Sequence, residues 1–249
     1  MMFRVFGLVM LAVVFVAPAN AQEREGDYLY KVSTVRAATG KLEPLLEWAA
    51  EIKASDYYKD AGGQFPFMMR HSQGDQWDLM IISPMESWTA YHSKNATKRR
   101  NKAAEKHGAL LAKGDGLFAF DEDHFAYGPP LSELTREYSE NGFYHIEMFK
   151  AAPGKAAELT EQRRMENAYL AATGQTTNMI FTRAAGSDVD VFTIGFHESL
   201  KSFAADAPAT PEEKEQAAKD AGFKDRSDIS FYLRSLLSDH HDTLAVKVE

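Results

Sequence analysis

Tyr144-His-Ile-Glu-Met-Phe-Lys-Ala-Ala-Pro-Gly-Lys155 is a second copy of Tyr30-Lys-Val-Ser-Thr-Val-Arg-Ala-Ala-Thr-Gly-Lys41. In both, an extended apolar segment runs into Ala-Ala-x-Gly-Lys and then into a helical pattern. A second match follows in the same order: Trp77-Asp-Leu-Met-Ile-Ile-Ser-Pro-Met-Glu-Ser-Trp88 against Val189-Asp-Val-Phe-Thr-Ile-Gly-Phe-His-Glu-Ser-Leu200. The offsets are 114 and 112 residues. Chance gives one such match easily, but not two at nearly one offset, so the chain reads as an internal duplication.

Periodicity supplies the elements of each copy. The first reads as a strand over 28–36, a helix over 41–59, a hairpin of strands 65–71 and 76–83 around Gln73-Gly74-Asp75, a helix over 87–111 and a strand over 117–127. Leu42, Leu45, Leu46, Ala49 and Ile52 fall on one face of the first helix. The second copy gives a strand over 143–150, a helix over 155–172, a hairpin of strands 177–184 and 188–197, a helix opening at Glu198, and a last strand over 243–248. It carries a helical insertion at about 205–227, whose Thr210-Pro-Glu-Glu213 has a capping-box signature. The expected organisation is a tail at 22–27, one repeat at 28–130, a polar linker at 131–141 and a second repeat at 142–249.

Strand, helix, hairpin, helix, strand is the ferredoxin-like split βαβ unit. Two fused units predict an α+β chain whose two antiparallel sheets pair into one barrel. His145-x-x-x-Phe149-Lys150-x-x-Pro153-Gly154-Lys155 resembles the opening of dimeric α/β-barrel proteins. That superfamily includes stress-responsive barrels, antibiotic-biosynthesis monooxygenases, polyketide cyclases, NIPSNAP-type proteins and chlorite dismutases. The first copy keeps Gly40-Lys41 but lacks the Pro and the His. The resemblance implies a fold, and a first-strand His that is functional in the cyclases; here that residue is His145. A chlorite-dismutase-like haem site would imply a proximal His in the second copy's helical region, and residues 198–239 contain none. The cofactor is left unknown and no metal site is assigned.

Alternation along 143–149 predicts Phe143, His145, Glu147 and Phe149 facing the barrel interior, and Tyr144, Ile146 and Met148 facing the helices. Leu29, Lys31, Ser33 and Val35 are the matching interior set in the first copy. His145 and Glu147 are then the candidate catalytic pair, an imidazole acting as general acid or base with a carboxylate to orient it. Lys31, Arg70, His71 and Arg183 are the candidate substrate-binding residues. A satisfied His–Glu hydrogen bond and strand-end surface charges are the structural alternatives for these residues. Asp78 and Asp190, matched in both copies, read as turn chemistry.

The basic stretch from Lys94 to Lys106 reads as a solvated helix face, with an anionic ligand as the sharper alternative. Asp121-Glu-Asp-His124 and Asp239-His-His-Asp242 are clusters that hard or borderline cations could use, but without specific ligand spacing. No nucleotide-binding or nucleophile-elbow motif is present.

Met1–Ala21 reads as an export signal: Arg4, an apolar run from Val5 to Val16, then Ala19-Asn-Ala21 for cleavage. The run is too short for a bilayer core, which needs about 20 residues. A periplasmic or secreted chain is therefore expected. It has no cysteine, so neither disulfides nor thiolate chemistry. A net charge of −8 disfavours nucleic acid as a partner. The functional expectation is an exported barrel that binds a small organic ligand in its interior, with cyclase-, isomerase- or lyase-like proton chemistry. A non-catalytic binding or sensing protein and a haem- or metal-dependent oxidoreductase are the alternatives, and a homodimer is left open.

Overall fold

A computed structural model of the chain describes residues 24–248; the expected export signal lies outside them. The first repeat comprises β1 (Tyr28–Ala37), α1 (Leu42–Ala54), α2 (Tyr57–Ala61), β2 (Phe67–Gln73), β3 (Leu79–Glu86), α3 (Trp88–Tyr91), α4 (Lys94–Lys106), α5 (Gly108–Leu111) and β4 (Phe118–Gly128). After α6 (Leu131–Glu140), the second comprises β5 (Phe143–Ala151), α7 (Ala156–Ala172), β6 (Asn178–Gly186), β7 (Val191–His197), α8 (Leu200–Phe203), α9 (Pro211–Asp220), α10 (Asp228–Leu236) and β8 (Leu237–Lys247). The strands close into one antiparallel barrel in the order β1-β3-β2-β8-β5-β7-β6-β4. Each repeat contributes four neighbouring strands, and the seams are β2·β8 and β4·β6.

The duplication is visible atom by atom. Asp78 Oδ2 accepts from the Ala37 amide at 2.7 Å, and Asp190 Oδ2 from the Ala151 amide at 2.9 Å. These matched carboxylates clamp the end of the neighbouring strand, taking up a backbone donor the ladder leaves free. The hairpin glycines match too. Gly74 (φ +120°) presses on the backbone of Asp242, and Gly186 (φ +87°) on that of His124. A Cβ on either would stand 2.0 or 2.8 Å from the facing chain. Each repeat thus seats a glycine turn against the other repeat's fourth strand, which lets the seams close.

The barrel interior is filled. Tyr30, Val32, Met69, Met80, Ile82, Tyr144, Ile146, Phe181, Phe192, Ile194 and Ala245 form one buried cluster drawn from both repeats. Phe181 and Phe192 stack with centroids 4.5 Å apart, and the Tyr30 ring meets Phe181 edge-on at 5.7 Å. Eight strands leave a lumen about as wide as the side chains that fill it. What remains is a cavity of about 150 Å³ at one mouth, beside Trp77, Phe120 and His124.

Alternation along the first strands is therefore the reverse of the expectation. Tyr144, Ile146 and Met148 point inward, and His145, Glu147 and Phe149 point outward to the helices. In β1, Tyr30 and Val32 point inward while Lys31, Ser33 and Val35 point outward. Both alternating sets contain apolar residues, so period two separates them without saying which goes inside. Closure decides: the set without charges enters the lumen, where no water can solvate a charge.

Two further elements differ from expectation. The stretch expected as a polar linker is helix α6, with Leu134 fully buried and Tyr138 stacked on Tyr144 at 5.7 Å. It plugs one end of the barrel. The expected long helix over 87–111 is broken into α3, α4 and α5. Ser87 and Ser93 cap the first two pieces by accepting from Ala90 N and Ala96 N.

Candidate functional site

With the lumen packed, the polar first-strand residues sit in two equivalent clefts between the outer face of the sheet and the helices. In the first repeat, Lys31 Nζ lies 3.0 Å from Asp123 Oδ2, and the Ser33 hydroxyl donates to Asp123 Oδ1. Burial pushes the Asp123 carboxyl up, but these two partners outweigh it and hold it below the usual range. The three form one end of a cavity of about 320 Å³. Its walls are apolar: Trp48 and Ile52 from α1, Phe65, Met68 and Phe118. The Trp48 indole is held by donation to Leu110 O at 3.0 Å and by an edge-on contact with Phe118 at 5.7 Å.

In the second repeat the same cleft is closed by a polar cluster. His145 Nε2 and Asp242 Oδ1 are 2.7 Å apart. Burial draws the His145 pKa down, but Asp242 and then Glu147 outweigh it, leaving the imidazole above its usual value. The hydrogen bond to His145 holds Asp242 low. Glu147 is not the orienter of His145 that the sequence suggested. Its Oε2 accepts from Thr193 Oγ1 at 3.1 Å and from Arg163 Nη1 at 3.4 Å. Arg163, fully buried on α7, also bonds Glu166 and lies over the Phe149 ring at 4.7 Å. His240, two residues before Asp242 on β8, stands 3.7 Å from Glu147 and 3.5 Å from Asp242. Phe203, from the helical segment after β7, covers His145 with ring centroids 5.1 Å apart.

The expected substrate-binding residues are dispersed. Lys31 reaches the first cleft. Arg183 is tied to its own hairpin, through Asp190 at 2.6 Å and Ser187 O at 3.2 Å. Arg70 and His71 are neighbours on β2 and so point to opposite faces. The His71 ring lies 5.7 Å from Trp77. Neither shares a cleft with His145: strand β8 lies between β2 and β5.

Asp242 is the residue that sequence reasoning missed as a partner. It belonged to a recognised Asp-His-His-Asp cluster, but β8 begins at Leu237 rather than Thr243, which puts that cluster inside the strand. His240 and Asp242 then share a face, and pairing sets Asp242 opposite Glu147. The basic stretch on α4 is partly structural. Lys106 and His107 both reach Asp60 at 2.7 Å, and Arg100 lies 3.7 Å over the Tyr91 ring.

Among solved structures, an anthrone oxidase-like protein is similar over 90% of this chain and 93% of its own, at 13% identity and a TM-score of 0.57. A protein of Fusobacterium nucleatum subsp. nucleatum assigned as a monooxygenase is similar over 90% and 94%, at 13% identity and a TM-score of 0.53. A chlorite dismutase variant from Candidatus Nitrospira defluvii follows at 14% identity, 90% and 91% coverage and a TM-score of 0.48. No family profile and no curated protein matches the chain. At these identities the likeness shows a shared fold: one eight-stranded antiparallel α+β barrel, with both halves in one chain. Among the described residues, no helix is long and apolar enough to cross a membrane.

Proposed function

We propose that this chain is an exported barrel protein that binds a small amphipathic organic molecule in the sheet–helix cleft of its first repeat. The observation that carries the reading is the cavity of about 320 Å³ with apolar walls and the Lys31–Asp123–Ser33 cluster at one end. Ligand sites are typically roughly 300–1,000 Å³, mostly apolar, with a few convergent polar groups that fix orientation. The ligand that fits has a flat or aliphatic body for Trp48, Ile52 and Phe118 and a hydroxyl for the polar end, where Asp121 and Asp123 outnumber Lys31. The similar protein's name, anthrone oxidase-like, is consistent with a flat aromatic body, while the assignment rests on this chain's own cleft.

Trp48 gives the test. Titration with a panel of phenols and aromatic alcohols is expected to change Trp48 fluorescence saturably for at least one of them. Ala49→Trp, which fills the cleft, is expected to abolish that response with the circular dichroism unchanged. A response that survives Ala49→Trp would place the ligand elsewhere. For export, the chain recovered from a host periplasm is expected to begin at Gln22.

A second reading, proton transfer at His145, is favoured by the 2.7 Å contact to Asp242. A carboxylate on one ring nitrogen sets the tautomer and leaves the other for a substrate proton. His145→Ala would then remove turnover with the fold retained.

A further inference from the structure

The second cleft holds more than a dyad. His145 and Glu147 lie two residues apart on one face of β5, and Asp242 is paired across from Glu147 on β8. One ligand atom from each lies within 4.8 Å of the other two. At metal–ligand bonds of about 2.0–2.2 Å, ligand atoms around one ion are about 3.0–3.6 Å apart. His145 Nε2 and Asp242 Oδ1 already stand 2.7 Å apart, so the gap to be closed is the one to Glu147, and a side-chain movement of about an ångström closes it.

The surroundings support an ion. Glu147 Oε2 is already held by Thr193 and Arg163, which leaves Oε1 on the side of Asp242 and His240. Such contacts orient a ligating carboxylate. An independent observation comes from His240. Its side chain is nine-tenths buried, yet Nε2 has no hydrogen-bond partner and stands between the two carboxylates at 3.7 and 3.5 Å. Arg234 donates to His240 Nδ1 at 3.2 Å, which leaves the ring proton on Nε2. His240 is thus placed to donate to carboxylates that an ion has drawn in, and not itself to ligate. Asp242, 53% exposed, and His145, 25% exposed, give access from solvent.

We propose that His145, Glu147 and Asp242 bind one divalent transition-metal ion. One imidazole and two carboxylates suit ions of the Mn, Fe, Co and Zn type; the imidazole argues against Mg and Ca. This site is separate from the first-repeat cleft, so either assignment can fail alone. It competes with the proton-transfer reading of His145, because a ligating Nε2 can no longer be held by Asp242.

Co²⁺ titration of the chelator-treated full chain tests it. One equivalent is expected to bind with visible absorption bands, and Zn²⁺ to displace it. Asp242→Asn and His145→Ala are each expected to weaken Co²⁺ affinity by at least about 100-fold, and His240→Phe by about 10-fold, as for groups that steady ligands. Asp239→Asn, which removes a carboxylate outside the trio, is expected to leave affinity unchanged. Absence of stoichiometric binding overturns the proposal. So does binding that persists in both Asp242→Asn and His145→Ala, since Asp242→Asn changes a half-exposed side chain that the fold tolerates.

Discussion

His124, beside the small cavity at one mouth of the barrel, provides a direct probe of whether that end of the interior is dry. Its ring is 2% exposed, stands edge-on to Phe192 at 5.7 Å, and has a buried Nε2 without a hydrogen-bond partner. Burial pulls its pKa from 6.5 down to about 4, against the smaller opposing pull of Asp123. The folded chain thus keeps His124 neutral at pH values where the unfolded chain has protonated it. The unfolded state binds the extra proton, so this group's contribution is fully present above pH 6.5 and is lost as pH falls towards 4. Each pH unit is worth about 1.4 kcal/mol, and the whole interval about 3 kcal/mol by pH 4. The perturbation is His124→Phe, read by urea unfolding at pH 7, 6, 5 and 4. Carboxylates titrate in both proteins, so the quantity is the difference between the two pH profiles. The variant is expected to lose about 3 kcal/mol less than the parent chain between pH 7 and pH 4. Equal profiles would mean that water from the mouth cavity solvates the charged imidazole, and would refute a dry His124 site.

Phe181→Ala deletes one ring of the interior stack and is expected to destabilise by about 3–5 kcal/mol, measured as a shift in the urea midpoint at constant slope. Gly186→Ala places a Cβ 2.8 Å from His124 Cα, whereas Gly40→Ala meets nothing within 4 Å at a similar positive φ. The Gly186 variant is therefore expected to have the lower thermal midpoint, because the seam must move as well as the backbone. Asp190→Asn weakens the strand-end clamp on Ala151 and the ion pair with Arg183. It is expected to accelerate amide exchange at the β5–β7 end before it alters global stability.

The duplication was legible because Gly-Lys after the first strand and the Asp, Ile, Glu and Ser of the third recur at nearly one offset. The matched Asp does the same work in both copies, as the clamps of Asp78 and Asp190 show. The inward face was not legible. Phe143 and Phe149 make the outward set look as apolar as Tyr144, Ile146 and Met148, and only closure of two sheets on each other gives the lumen to the uncharged set. Helix α6 carried a readable signal in Leu131, Leu134 and Tyr138, three residues at helical spacing, which the surrounding charges obscured. The partnership of His145 with Asp242 spans 97 residues and depends on the register of β8 against β5. Local pattern contains no information on that register, and from sequence alone Glu147 is the nearest carboxylate to His145.

Two adjacent methionines give the most direct test of where the ligand sits. Met68 lines the first-repeat cleft, and Met69, next in sequence, is buried in the lumen with Met80. Methyl-labelled methionine spectra recorded during titration with the aromatic ligand that quenches Trp48 separate the two locations. The account predicts that the Met68 methyl shifts in step with saturation while Met69 and Met80 stay in place. Shifts at Met69 and Met80 with Met68 unmoved would contradict it and put the ligand inside the barrel.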